Sequence, residues 1–266
     1  MPLDVSVPAA ARRYNVWLGG KDNFAADRDS AAEIEQAFPP ITSAARANRN
    51  CLERVVRYLA AERGIRQFLD LGCAMPASPN VHEIAQEITP SARVLYVDND
   101  KLVDRHARAL LTSCPEGRSD FQFGDLRAPQ PILAAARERF DLTRPVAVSL
   151  FAVLHLLPDT EQALDAVREL VAPLPRGSCL ALSHATFDPL PEHKRVELEK
   201  FSQPDSSHGP FQPRTRAQVA SFFDGLDLID PGVVSTVLWR PNLPATEADA
   251  ISEAEAICYA AAAVKP

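Results

Sequence analysis

Three short stretches set a carboxylate beside a glycine or an amide: Asp70-Leu71-Gly72-Cys73, Asp98-Asn99-Asp100 and Gly124-Asp125-Leu126. A carboxylate can accept both hydroxyls of a ribose or the exocyclic amine of an adenine, and a glycine lets the backbone approach a ligand closely. Asp98 follows the glycine loop at roughly the 20-residue interval of a ribose acid. Asp125 would meet the base, while Asp70 and Gly72 would face the amino-acid or phosphate end of the same nucleoside. One acid after a strand is more often a helix cap or a solvated loop residue. Only the three together have the spacing to grip a nucleoside.

That grip requires each acid to end a strand of one sheet, because an open α/β sheet binds its ligand beyond the C-terminal strand ends, where strand order reverses. The hydrophobic pattern supplies such a sheet. Apolar runs at 67–71, 93–97, 120–123, 145–150 and 178–183 alternate with helical periodicity at 79–88, 101–111, 131–139 and 160–171. Short strands separated by helices predict βαβ units and a parallel sheet. A long helix over 42–62 precedes them and stops at Gly64. Asp159 with Gln162 and Thr215 with Gln218 resemble capping boxes and fix two helix starts. Segment 188–212 is helical over 192–201 and then rich in Pro, Ser and Gly, a candidate lid over the ligand edge. Runs at 226–229, 233–238 and 257–264 predict added strands at one edge, although Ala260 to Ala263 would equally suit a helix.

The acid and glycine pattern resembles the class I S-adenosylmethionine-dependent methyltransferases. The stretch from Ser149 to Asp159 looks like that superfamily's fourth motif in small-molecule enzymes. Tracts 11–28, 46–49, 79–83 and 97–100, with Pro231-Gly232-Val233 and Trp239-Arg240-Pro241, resemble an uncharacterised actinobacterial family of S-adenosyl methyltransferases over nearly the whole chain. The resemblance implies an α/β, Rossmann-like methyltransferase fold: a seven-stranded, mostly parallel sheet, its last strand antiparallel, under a helical N-terminal cover. It divides the chain into a cover (1–64) and a donor-binding unit (65–266) within one compact whole. It further implies S-adenosyl-L-methionine as donor, S-adenosyl-L-homocysteine as product and an unidentified, small-molecule acceptor. Asp70, Gly72, Cys73, Asp98, Asn99, Gly124, Asp125, Leu126 and Phe151 then hold the donor. His155 is a candidate base, since an imidazole can take a proton near neutral pH. Gly19 and Gly20 look like a hinge for the first helix, and Tyr14, Lys21, Asp22, Asn23, Arg46 and Asn48 become substrate or lid candidates.

Other readings of the same residues stand beside these. The tract from Tyr14 to Asn23 also reads as an amphipathic leader packed on the core. His155 and His184 read equally as hydrogen-bonded structural histidines, and Arg46, Arg49, Arg54 and Arg57 as a solvated helix face. Where the family has a second loop glycine this chain has Ala74, and Cys73 stands where threonine is commoner. Alanine disfavours φ > 0, so a displaced loop and weaker donor binding are expected. That departure motivates an alternative class, a catalytically silent domain that senses the donor or its product. A nicotinamide-dependent oxidoreductase is disfavoured: of G-x-G-x-x-G only Gly72 is kept, and Pro76 would crowd a pyrophosphate. The tract at Gly20-Lys21 lacks the first glycine of a P-loop. Ser149-Leu150-Phe151-Ala152 stands where an Asn/Asp-Pro-Pro-aromatic motif would mark methylation of nucleic-acid bases.

Composition bounds the remainder. At 266 residues and 46% hydrophobic, the chain can bury one large core. A net charge of −7 opposes a nucleic-acid backbone, so no nucleic-acid partner is expected. The longest apolar run, 146–157, is broken by Ser149 and His155 and falls short of the roughly 20 residues of a membrane span. An early acid and the lack of an apolar leader point to a cytoplasmic protein. Five scattered cysteines predict reduced thiols and no metal site. Whether the chain forms a homo-oligomer is left open.

Overall fold

The computed structural model describes residues 3–241 and 250–266. Helices α1 (Ala10–Trp17), α2 (Ala25–Ala37) and α3 (Ile41–Ala61) come first. Strand and helix then alternate: β1 (Gln67–Leu71), α4 (Val81–Ile88), β2 (Arg93–Asp98), α5 (Lys101–Leu110), β3 (Arg118–Phe123), α6 (Pro129–Arg139), β4 (Ala147–Phe151), α7 (Thr160–Val171) and β5 (Cys179–Ala185). After α8 (Glu192–Leu198) and α9 (Arg216–Ala220) come β6 (Asp227–Leu228), β7 (Val234–Ser235), α10 (Glu253–Ala256) and β8 (Cys258–Val264).

The sheet runs β3-β2-β1-β4-β5-β8-β6, with β7 also paired to β8. Strands β1 to β5 are parallel. Strand β8 is antiparallel to β5, β6 and β7, so the last strand runs as expected. Strand order reverses between β1 and β4, and the crevice above that point is where such a sheet takes a ligand. The fold is that of the class I methyltransferases.

Period-2 alternation explains the core. Leu69 and Leu71 of β1, Val148 and Leu150 of β4, and Leu180 and Leu182 of β5 face one side with α6 and α7. Phe68, Ala147 and Phe151, and Cys179 and Ala181 face the other, with α3 and α4. These residues are at most 8% exposed. Each large side chain so buried contributes about 1.5–3 kcal/mol, and truncating Leu69 or Leu150 would open a cavity on the face covered by α6 and α7. In β8, Ala260 to Ala263 are wholly buried, and their small side chains let elements close on both faces. Tertiary pairing with β5 thus settles the strand or helix ambiguity in favour of strand.

Two further runs are shorter than the sequence pattern suggests, one at the sheet edge and one helical. The 233–238 run pairs only at Val234–Ser235, because the amides of Leu238 and Trp239 turn back onto the Ser235 carbonyl. That turn seats the fully buried Trp239 edge-on against Tyr58. The 192–201 run ends as an α-helix at Leu198 and tightens into a 3₁₀ turn, Glu199–Ser202.

The arginines of α3 are not one solvated face. Arg46 is exposed, and Arg57 reaches Glu53 and Glu87 at the surface. Arg54 is buried and donates Nε to the Trp239 carbonyl at 3.0 Å and Nη2 to the Thr236 carbonyl at 2.6 Å. Arg49 donates Nη2 to the carbonyls of Ala77 and Pro79, both at 2.6 Å. Alternation with apolar residues could not reveal this, since the surrounding chain supplies the acceptors from distant segments. No described helix is long and apolar enough to cross a membrane.

Candidate active site

A cavity of about 470 Å³ opens above the C-terminal ends of β1 to β4. Helices α1 to α3 form one wall, and residues 198–211 form a roof that packs on α2 through Phe38, Leu198 and Phe201. The candidate lid therefore lies over the ligand edge. Asp70, Gly72, Cys73, Asp98, Asn99, Gly124, Asp125, Leu126 and Phe151 all line this one space, as do His155, Tyr14 and Asn48.

Six candidates are placed elsewhere. Gly19, Gly20, Lys21, Asp22, Asn23 and Arg46 are outside the cavity lining. The glycine pair forms a turn sewn onto Asn15: its carbonyl accepts from Gly20, and its Oδ1 accepts from the Asp22 amide and from Asn23 Nδ2. A Cβ on Gly20 would lie 2.1 Å from the Asn15 side chain, so that glycine is required for close contact. Asp22 points outward to His106 at 3.8 Å.

Asp70 and Ser149 are register partners on β1 and β4, and Ser149 Oγ donates to Asp70 Oδ1 at 2.6 Å. Burial raises the Asp70 carboxyl above its usual range, against the lowering effect of Ser149 and the Arg49 charge. The chain then turns through Gly72 (φ +69°), where a Cβ would sit 2.4 Å from Val153 Cγ2. Ala74 adopts φ +57°, and its amide donates to Asp98 Oδ2 at 2.9 Å. The chain accepts a left-handed alanine here, anchored by its hydrogen bond. Burial, with Asp98 and Asp70 nearby, pushes the Cys73 thiol well above its usual value, so it is no thiolate nucleophile.

Asp98 ends β2. Its Oδ1 accepts from the Asp100 amide at 2.9 Å, and burial pushes its carboxyl up to about 6 despite these bonds. Oδ1 accepts from the Asp100 amide and Oδ2 from the Ala74 amide, the Asn99 N–H also acts on the carboxylate, and acceptor capacity remains for a further donor. A pair of ribose hydroxyls is the matching group. Asp125 is instead pulled down to about 2, first by the Arg127 guanidinium and also by Asn99. It stays an anion whose acceptor positions are taken by Arg127 N, Nε and Nη2 and by Asn99 Nδ2, so an amine would bind there by displacing the exposed Arg127 side chain. The chemistry of this donor set suits an adenosyl group carrying an amino acid: diol acceptor, amine acceptor and a close backbone turn along one wall.

The other end of the cavity is largely apolar, with Ile34, Phe38, Phe187, Phe201 and Phe211. His155 projects from a 3₁₀ turn (Leu154–Leu156) after β4, and its Nδ1 accepts from the Ala185 amide at 3.3 Å. Burial, then the charges of Arg214 and Arg13, push its pKa down to about 3. The neutral ring consequently carries its proton on Nε2, as a donor. His184 is fully buried, with Nδ1 on the Ala185 carbonyl and Nε2 on Arg214 Nη1, both at 2.8 Å. Arg214 also holds the carbonyls of Leu154 and Leu157, so it fixes the turn that carries His155. Tyr14 and Asn48 belong to a relay: Tyr14 donates to the Ala45 carbonyl and accepts from Asn48 Nδ2, and Ser183 Oγ donates to Asn48 Oδ1. The relay ties α1 and α3 to the end of β5. Among the described residues no cluster of metal-ligating side chains occurs, and all five cysteines are free.

Arg13, Trp17, Arg49 and Arg214 were not legible as site residues. Arg13 and Trp17 carried a signal, being one helical turn apart in a family-like tract; Arg214 carried none.

A family described as S-adenosyl methyltransferase matches residues 1–266. A DUF574 family protein from Streptomyces avermitilis is 40% identical, with a TM-score of 0.93 and each chain fully covered. A provisionally assigned methyltransferase from Thermobifida fusca is 38% identical, with a TM-score of 0.86, covering 98% of this chain and 96% of that one. An O-methyltransferase family protein from Burkholderia thailandensis shares the fold at 14% identity and a TM-score of 0.52, covering 84% of this chain and 59% of that one. No curated protein gives a significant match.

Proposed function

The chain belongs to the S-adenosyl methyltransferase family, and from that premise we propose that it transfers a methyl group from S-adenosylmethionine to a small-molecule acceptor held in the apolar end of the cavity. Bound S-adenosylmethionine supplies a methyl group already activated on a sulfonium. The protein's work is then to align nucleophile, carbon and sulfur and to keep water out.

In this reading Asp98 accepts the ribose hydroxyls, and Asp125 and Leu126 border the adenine. Asp70, braced by Ser149, and the turn at Gly72 face the amino-acid end. Phe151 lines the cavity between the acids of this wall and His155 in sequence, and Leu198, Phe201 and Phe211 would help keep water from the reacting groups. His155 Nε2–H is suited to orient an acceptor oxygen, because Nδ1 is occupied and the ring is neutral.

The observation that carries this reading is the convergence of Asp70, Asp98 and Asp125 on one cavity. Calorimetry with S-adenosylhomocysteine and, separately, NAD tests it. Binding of the first and not the second is expected; no binding of S-adenosylhomocysteine at millimolar concentration would discard it.

One observation favours a second reading, a donor-binding domain without turnover: His155 is not placed as a base. Tight product binding with no methyl transfer across alcohols, phenols, amines, thiols and carboxylates would support that sensor.

A further inference from the structure

Arg13 is 7% exposed and lines the cavity, yet its Nε and Nη1 are buried without a hydrogen-bond partner. A guanidinium stays charged and offers five donors, so an unmet one in an apolar wall is costly unless an anion completes it. The anion whose charge acts on it, Asp27, is already engaged. Asp27 Oδ1 accepts from the Ala9 amide, Oδ2 accepts from the Phe24 amide, and Arg12 stands 3.5 Å away. Arg12 itself is held by Asp100 at 3.2 Å.

Trp17 lies one turn further along α1, on the same face. It also lines the cavity, and its indole Nε1 is buried without a partner. Two side chains four residues apart thus line the same space, and each carries buried N–H donors without a partner. The Arg13 charge acts on His155 and on His208, which line the same cavity. Burial, with Arg12 nearby, lowers Arg13 only to about 10, so it is cationic at neutral pH.

We propose that Arg13, with Trp17 Nε1, is the recognition site for a carboxylate on the methyl acceptor, whose remaining body is apolar and packs among Ile34, Phe38, Phe201 and Phe211. The proposal rests on the methyl-transfer reading and deepens it. A planar guanidinium matches a carboxylate bidentately, and an indole N–H adds a third donor. The apolar wall supplies affinity without charge selectivity, and Arg13 supplies the selectivity. Arg13 is a binding residue here; no proton or bond change is assigned to it.

The test measures binding of 4-phenylbutyrate, 4-phenylbutanol and 4-phenylbutylamine to the full chain by calorimetry, with and without saturating S-adenosylhomocysteine. The wild type should bind the carboxylate at least about tenfold more tightly than the alcohol or amine. Arg13→Gln should lose that preference while its affinity for S-adenosylhomocysteine stays within about twofold, and Arg13→Lys should keep part of the preference. Absence of carboxylate binding or of preference in the wild type overturns the proposal, as does a preference that survives Arg13→Gln. Weakened S-adenosylhomocysteine binding in a folded Arg13→Gln also overturns it, by assigning Arg13 to the donor. Wild-type donor binding, read independently, shows whether the methyl-transfer reading itself has failed.

Discussion

The amide nitrogen of Ala74 lies 2.9 Å from Oδ2 of Asp98. This bond links the loop after β1 to the end of β2, so the turn beside the amino-acid end and the proposed ribose acid move as one unit. It also explains why a left-handed alanine is tolerated: the hydrogen bond it enables is charge-assisted, worth more than a neutral one, and offsets a strain of about 1–2 kcal/mol.

Asp98 gives donor binding a pH dependence. Its carboxyl sits at about 6, and ribose hydroxyls need the ionised form as acceptor. Ligand binding should therefore lower that pKa. Affinity for S-adenosylhomocysteine should be constant above pH 7 and weaken below 6, by up to about tenfold per pH unit. Titration calorimetry between pH 4.5 and 8 checks this. Asp98→Asn should bind weakly at every pH, without the slope; a flat wild-type profile would remove Asp98 from the ribose.

Gly72 and Ala74 should respond oppositely to exchange. Gly72→Ala puts a Cβ 2.4 Å from Val153 at φ +69°, and should cost more than about 2 kcal/mol in denaturant unfolding and impair donor binding. Ala74→Gly relieves left-handed strain of about 1–2 kcal/mol against an unfolded-state entropy cost of about 0.4–1. A small net gain in stability is expected, with donor affinity unchanged or improved. Equal losses in both variants would contradict the loop geometry.

The buried histidines set acid stability. His155 is depressed to about 3, and His184 lies well below its usual value, chiefly through burial. Unfolding frees both to protonate near 6.5, so their contribution is present above that pH and is lost as pH falls. Each adds a slope of up to about 1.4 kcal/mol per pH unit below 6. Urea unfolding from pH 7.5 to 4.5 should show it, and the His155 ring signals should not titrate by NMR in this range. An NMR midpoint near 6.5 would restore His155 as a general base.

The donor wall was legible because its residues sit at fixed offsets from strand ends: once β1, β2 and β3 are parallel neighbours, Asp70, Asp98 and the Gly124-Asp125 pair must share a rim. Local signals also gave the Asp159 and Thr215 caps. The acceptor end was not legible. Its residues come from α1, α2, β4 and the 198–211 roof, and no short pattern links Phe38 to Phe211 or Arg214 to His184. The Gly19-Gly20 pair lies outside the cavity lining, in a turn against Asn15, because its close contact is with that side chain, which no short sequence pattern announces. Arg54 could not be read from α3 alone, because its acceptors lie near Trp239.

The most direct measurement is the crystal structure of the complex with S-adenosylhomocysteine. The expected result places both ribose hydroxyls at hydrogen-bond distance, about 3 Å, from the Asp98 carboxylate, with the adenine amine toward Asp125 and the sulfur facing Phe151 and the apolar end. A ligand seated away from Asp98, or a complex in which Asp70, Asp98 and Asp125 touch no part of it, would contradict the proposal that these acids hold one methyl donor.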